Sequence, residues 1–181
     1  VMDMTKMVAA CLTNPEYVED VQDTGRIQNP PAKTFMIPTT AGTGAEATPN
    51  AIFLFPEQNL KIGIVSPAFV ASYVILDGKM TESLPASLTA STGIDALCHA
   101  VESYISILAN PLSRVFSRAA TKKICANLEK AWKDGSDLEA RQNLLEGAFL
   151  AGVCLTSSST VAVHALSYPL GGKYHIPHGV S

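Results

Sequence analysis

An α/β segment followed by an all-helical one is the fold class that the sequence predicts, with the change of texture near residues 80–84. Short runs rich in Ile, Val, Phe and Tyr, bounded by turn residues, occupy much of the chain before that point. After it, apolar residues recur at helical spacing over long stretches opened by a proline or a polar turn. Apolar residues make up 47% of the 181 and charged ones only 16%, a balance that belongs to a well-buried globular chain rather than a disordered one.

The elements come in this order. Met4 to Leu12 has the pattern of a short amphipathic helix. KTFMIP (33–38), AIFLF (51–55), KIGIV (61–65) and SYVILD (72–77) are candidate strands. Pro85 opens a helical pattern that runs to about Ile107, and Pro111 opens another to about Lys133. The polar turn KDGSD (133–137) precedes a third helix from Leu138 to at least Leu155. An apolar helix carrying His164 comes next, and Pro169, Gly171, Gly172 and Pro177 predict a break after it. Two domains are expected, 1–82 and 83–181, each partial: the chain begins and ends inside what read as structural elements, so we expect a fragment.

A formal charge of −3 without any Lys/Arg cluster gives no electrostatic reason to expect nucleic acid or an anionic membrane as partner. GAFLAGVCL (147–155) is halted by TSSST, and no apolar run is long enough for a membrane-spanning helix. Cys11, Cys98, Cys125 and Cys154 are scattered without a Cys-x-x-Cys pair, the usage of reduced thiols, and we expect a cytoplasmic protein.

Chemistry concentrates in two places. TGIDALCHAVESY (92–104) sets Asp95 and His99 at i and i+4 on one helical face, with Ile94, Leu97, Cys98 and Val101 as a separate apolar stripe. A carboxylate and an imidazole one turn apart can reach a single divalent ion, although D-x-x-x-H alone is more often a hydrogen-bonded pair on a solvated face. Glu102 is either a partner holding the His99 ring or an exposed helix charge. The segment VAVHALSYPLGGKYHIPHG (161–179) adds His164 and His178 on either side of the expected break, so that imidazoles from separate elements can converge. Asp95, His99, His164 and His178 would make a one-carboxylate, three-histidine site suited to Fe2+ or Zn2+, with His175 left outside it.

The second place is PTTAGTGAEATPN (38–50). Its Gly42, Gly44 and Ala47 fit G-x-G-x-x-G/A only weakly, because Pro49 and a β-rich run stand where a helix should open. Small residues and the hydroxyls of Thr39, Thr40, Thr43 and Thr48 nevertheless suit a pyrophosphate or a carboxamide. An ordinary Gly/Thr turn is the competing reading.

Together these stretches resemble the iron-containing (group III) alcohol dehydrogenase family over essentially the whole chain. SYVILDGKMTESLPASLTASTGIDALCHAVESY (72–104) is similar to one family signature and HALSYPLGGKYHIPHG (164–179) to the other, while PTTAGTGAEAT resembles the nicotinamide-side loop. The opening VMDMTK resembles the stretch directly after the family's Gly-Gly-Gly-Ser phosphate loop. The resemblance implies a partial nucleotide-binding α/β domain and a partial all-α metal-binding domain, an architecture like that of dehydroquinate synthase. It implies Asp95, His99, His164 and His178 as metal ligands, and Asp3, Thr39, Thr40, Thr43, Thr48, Asn50 and Lys61 against the NAD or NADP cofactor. It also implies oxidation of a small alcohol, or reduction of the aldehyde, by a homo-oligomer of the full-length protein. Many members carry a second histidine four residues after the one matching His164; here Tyr168 stands in that place, a poorer proton shuttle at neutral pH. A hydrolase, lyase or synthase using the same ligands, or a fragment inert in isolation, are the alternatives.

Overall fold

The computed structural model describes residues 1–55, 60–174 and 176–181. The side chains of Leu60, Lys61 and Gly172 lie outside that description, as does His175. The chain forms two compact units: residues 1–36 with 45–75, and residues 37–44 with 76–181. The Gly/Thr segment is thus divided, its first part packing with the helices.

In the first unit, helix α1 (Met2–Thr13) buries Lys6, Met7, Ala9 and Ala10. Strands β2 (Asn50–Phe55) and β3 (Leu60–Val65) form an antiparallel pair in which Asn50 faces Val65 and Phe55 faces Leu60. Strands β1 (Phe35–Met36) and β4 (Tyr73–Val74) pair in parallel. Both are shorter than the runs KTFMIP and SYVILD that predict them. Among the described residues each pairs only with the other, and Pro38 lacks the N–H that would carry β1 onward. The core of this unit gathers Met7, Ala10, Tyr17, Ala51, Ile64 and Phe69. Tyr17 is fully buried and its hydroxyl donates to the Val21 carbonyl at 2.6 Å.

The second unit is built on α2 (Ala86–Ile105), α3 (Pro111–Lys133) and α4 (Leu138–Leu155). The starts of α3 and α4 are written locally. Asn110 caps α3 in a reciprocal box with Ser113, with Pro111 in the first turn, and Asp137 accepts from the Ala140 N–H to cap α4. The core is dominated by alanine (Ala96, Ala100, Ala120, Ala131, Ala140, Ala148, Ala151) with Ile124, Leu144 and Leu145. Small side chains let the helix axes approach closely. Gln142 pins the chain entering this unit, accepting from Gly78 N–H at 2.7 Å and donating to the Leu76 carbonyl at 3.3 Å. Residues 37–44 lie on α4 through Gly44, whose φ of 60° and contact with Gly152 both require glycine.

Helix α5 (Ala162–Tyr174) differs from expectation: it runs through Pro169 and the Gly171-Gly172 pair instead of breaking there. Pro169 removes one hydrogen bond, the one that would reach Ala165, and the remaining turns hold the helix on either side. The chain leaves the helix only after Tyr174, and a turn bonded from Val180 N–H to the Pro177 carbonyl comes after it. Among the described residues no helix is long and apolar enough to cross a membrane.

Candidate metal centre

Helix α2 buries the opposite side from the one its apolar stripe suggests. Ile94 and Val101 are 48% and 43% exposed, whereas Asp95, His99 and Glu102 are buried. The polar face is turned inward because α5 and the C-terminal turn bring imidazoles to meet it. His164 stands one turn into α5, and His178 sits in the closing turn, where Gly179 passes so near α2 that an added Cβ would lie 2.5 Å from the Ser91 carbonyl oxygen.

Asp95 Oδ1 is the hub. It lies 3.9 Å from His99 Nε2, 3.5 Å from His164 Nε2 and 3.4 Å from His178 Nε2. One donor atom from each of the four residues falls within 4.8 Å of all the others. The His99 and His164 rings stack with centroids 4.4 Å apart, and the His178 ring is tilted 5.3 Å from that of His164. These separations are too long for ordinary hydrogen bonds, which run to about 3.2 Å. They are near the spacing of ligands around one ion, since donors about 2.0–2.2 Å from a tetrahedral zinc stand about 3.4 Å from one another.

A second observation points the same way. His99 Nδ1 and His164 Nε2 are buried without a hydrogen-bond partner. Burying an unpaired polar atom costs about 1–3 kcal/mol. A cation among the donors would remove that cost for His164 Nε2, the nitrogen on the Asp95 side; His99 faces Asp95 with Nε2, so its buried Nδ1 is not relieved in this way. Three imidazole nitrogens and one carboxylate oxygen are a borderline donor set that fits Fe2+ or Zn2+.

The electrostatics suit a cation. Burial pushes the Asp95 carboxyl up, but the surrounding imidazoles of His164, His99 and His178 outweigh it and hold the group below the ordinary carboxylate range. Burial lowers His99 to about 4, with His164 and His178 adding to the effect and Asp95 opposing it, so this imidazole is neutral at physiological pH. His164 goes the other way: burial lowers it, yet Asp95 and Glu102 together raise it.

Glu102 touches a different ring from the one next to it on the helix. It is 2% exposed, one carboxylate oxygen pairs with His164 Nδ1, and the other accepts the Val163 N–H at 2.7 Å. Tyr168 flanks the cluster, its ring edge-on to His164 at 6.5 Å and 5.9 Å from that of His178. Burial, and then the Asp95 charge, raise its hydroxyl pKa, so it is a protonated donor at neutral pH.

The residues expected to meet a nucleotide are divided between the units. Asp3, Thr48 and Asn50 come together in the first, around a residue that sequence reasoning passed over. Lys6 is 1% exposed, and its ammonium donates to the Thr48 carbonyl at 2.9 Å, the Thr48 hydroxyl at 3.2 Å and the Asn50 carbonyl at 2.6 Å. Asp3 stands 3.7 Å from it and accepts from the Ile52 N–H at 3.1 Å. The Thr48 hydroxyl also donates to the Ala45 carbonyl, at 3.4 Å. A signal was available: with Met7, Ala9 and Ala10, Lys6 lies on the face that α1 buries. Thr39, Thr40 and Thr43 are exposed on the segment that packs with the second unit. The Lys61 side chain falls outside the described residues.

Comparison with known proteins identifies the family. The family described as iron-containing alcohol dehydrogenase matches residues 1–78, and the C-terminal part of the Fe-containing alcohol dehydrogenase family matches residues 89–181. Long-chain-alcohol dehydrogenase 1 of Geobacillus thermodenitrificans is 38% identical over 183 residues, covering 99% of this chain and 46% of that protein. The 1,3-propanediol dehydrogenase of Klebsiella pneumoniae is 40% identical over 155 residues, 86% of this chain and 40% of its own. Among solved structures, an iron-containing alcohol dehydrogenase from Thermotoga maritima superposes with a TM-score of 0.88 at 39% identity, over 98% of this chain and 48% of that one. The sulfoacetaldehyde reductase of Bifidobacterium kashiwanohense, solved in complex with NAD+, gives 0.90 at 32%, over 98% and 48%. The chain therefore spans about half the length of the relatives it matches. With one family matched along both of its parts and a buried Asp/His3 cluster in the second, the chain belongs to the iron-containing alcohol dehydrogenases.

Proposed function

We propose that this chain carries the metal centre and part of the cofactor site of an NAD(P)-dependent alcohol dehydrogenase or aldehyde reductase. Residues 1–82 belong in this reading to the nucleotide-binding domain and 83–181 to the helical metal-binding domain of a dehydroquinate synthase-like architecture. The observation that carries the reading is the convergence of Asp95, His99, His164 and His178 with donor atoms at ligand spacing, His164 Nε2 lying buried among them without a hydrogen-bond partner.

Asp95 supplies the anionic ligand and His99, His164 and His178 the neutral ones. Fe2+ or Zn2+ held there contributes Lewis acidity toward an alcohol or carbonyl oxygen. The low pKa of His99 keeps its lone pair free of protons at neutral pH. Tyr168 offers a hydroxyl donor beside the cluster, suited to orienting a small substrate or a cofactor ribose rather than to shuttling protons. Thr39, Thr40 and Thr43, exposed in the second unit, would offer hydroxyls to a nicotinamide cofactor, and Asp3, Thr48, Asn50 and Lys61 are the proposed cofactor residues of the first. A nicotinamide cofactor would supply the acceptor or donor of a hydride at the substrate carbon, the alcohol proton being released on oxidation. The names of the relatives, which span alcohols, 1,3-propanediol and sulfoacetaldehyde, and the NAD+ bound to one of them, support this class of reaction. The full-length protein works in this reading as a cytoplasmic homo-oligomer.

The test is metal content and turnover in the same preparations. Protein reconstituted anaerobically with Fe2+, or with Zn2+, should retain one equivalent after dialysis, and His164→Ala should lose both the metal and nicotinamide-linked oxidation of an alcohol panel in the full-length protein. Full turnover in a metal-free His164→Ala protein would refute the reading.

A further inference from the structure

We propose that Glu102 is the positioning residue of the metal centre, locking the start of α5 and the His164 ring in one grip so that His164 Nε2 faces the ion. The inference rests on the metal-centre reading and names a residue outside the four ligands.

The two carboxylate oxygens do different things. One accepts the Val163 N–H, at the second position of α5, one of the N-terminal groups that a helix cannot satisfy internally. The other pairs with His164 Nδ1. An ionised carboxylate only accepts, so it holds Nδ1 in its N–H form and leaves the Nε2 lone pair bare. That is the nitrogen found without a hydrogen-bond partner, 3.5 Å from Asp95 Oδ1. Glu102 is itself on α2, two turns along from Asp95 and one from His99. A single rigid helix thus bears two ligands and the group that aims a third from another helix. Rotation of the His164 ring would break its bond to Glu102, and withdrawal of α5 would break both bonds at once.

Glutamine cannot replace this residue. It has one acceptor oxygen, so it can serve either Val163 N–H or His164 Nδ1–H, and its amide donates toward whichever it does not serve. If the amide faces the ring, it favours the tautomer protonated on Nε2, which blocks ligation. Partners of metal-bound histidines typically contribute about 10- to 100-fold in affinity.

The experiment is a Co2+ titration in competition with a chelator, read on wild type, Glu102→Gln, His164→Ala and the double variant, with the visible Co2+ spectrum recorded for each. We expect Glu102→Gln to weaken Co2+ about 10- to 100-fold and to alter the spectrum. In the His164→Ala background the same change should have little further effect, because its target is gone. Affinity within about twofold of wild type, or an equal loss in both backgrounds, would overturn the proposal, the second outcome marking a purely structural role. Glu102→Asp, which keeps both acceptors but withdraws them by one methylene, is read against the same two outcomes if Glu102→Gln does not fold. Wild type that takes up no Co2+, or takes it up unaffected by His164→Ala, would overturn the metal-centre reading itself, and it does so without reference to Glu102.

Discussion

Replacing Gly152 by alanine should destabilise the helical unit, although the substitution improves helix propensity. Gly152 lies inside α4, where Gly→Ala is ordinarily worth about 0.8–1 kcal/mol in favour of alanine. Here a Cβ would meet the Gly44 carbonyl oxygen at 2.5 Å and Gly44 Cα at 2.9 Å. Both atoms are backbone, so no rotamer change relieves the contact. Nor can Gly44 yield locally: it already holds φ 60°, and a Cβ built on it would in turn lie 2.7 Å from Gly152 Cα. Overpacking costs about 1–3 kcal/mol, and a contact with backbone on both sides belongs at the upper end. The cost of about 3 exceeds the gain of about 1, leaving a loss of about 2 kcal/mol, or about 4–8 °C in Tm for a chain of this size. Gly147→Ala is the internal control. It gains the same propensity on the same helix, but its Cβ first meets Ile124 Cγ1 at 2.8 Å, a side-chain atom rather than backbone. We expect it to lose less stability than Gly152→Ala. Thermal unfolding followed by the fluorescence of Trp132, the single tryptophan, which lies on α3, reads both variants. Since the segment pushed away carries Thr39, Thr40 and Thr43, NADH should also bind more weakly to the Gly152 variant of the full-length protein. A Gly152→Ala protein as stable as Gly147→Ala would refute the reasoning.

Two other perturbations address the first unit. Lys6→Met keeps the stem but deletes charged hydrogen bonds to Thr48 and Asn50; at about 1.5–3 kcal/mol for such bonds, less the ammonium desolvation recovered, the loss should be about 2–3 kcal/mol. Hydrogen exchange at Ile52, whose N–H donates to Asp3, should then quicken by roughly 30- to 100-fold, and unchanged protection would count against the staple. Alkaline pH should unfold this unit through Tyr17, whose phenol is pushed up to about 12 by burial and then by the charges of Cys11, Asp20 and Asp23. The folded state holds that proton more tightly than the unfolded one, whose tyrosine titrates near 10, so the contribution is intact below pH 10 and is lost as the pH rises to about 12. Tyrosinate absorbance and circular dichroism should change together, and Tyr17→Phe should uncouple them.

What the sequence discloses about this molecule tracks how local each determinant is. Two of the three long helices are legible because their starts are written in adjacent residues: Pro111 with Asn110 and Ser113, and Asp137 with Ala140. The four candidate ligands are found from the spacing of Asp95 and His99 and the clustering of His164 and His178; their convergence is tertiary. The strand runs KTFMIP and SYVILD read longer than β1 and β4 because strand length is set by the neighbour that hydrogen-bonds it, and no run of residues states its neighbour. Pro169 misleads for the opposite reason. A proline's cost to a helix is a finite energy, and a helix held from outside at its first turn, as α5 is by Glu102, can bear it.

The inverted face of α2 links these misreadings to function. Periodicity assumes that the apolar stripe of a helix is the buried one. On α2 the polar stripe Asp95–His99–Glu102 is the buried one, at a cost in desolvation that each residue offsets differently: Asp95 through the imidazoles, Glu102 through Val163 and His164, and His99 by staying neutral. On α1 a single charged residue, Lys6, joins the buried apolar stripe of Met7, Ala9 and Ala10 and is satisfied by backbone carbonyls. Burying charge in this way is seldom the most stable choice, since apolar residues of similar volume often do as well or better. Its return is position. A carboxylate that must be paired on both oxygens can adopt few orientations, and the imidazole it pairs with inherits that restriction. On α2, the place where the sequence departs from the apolar pattern is therefore the place where its candidate ligands are aimed.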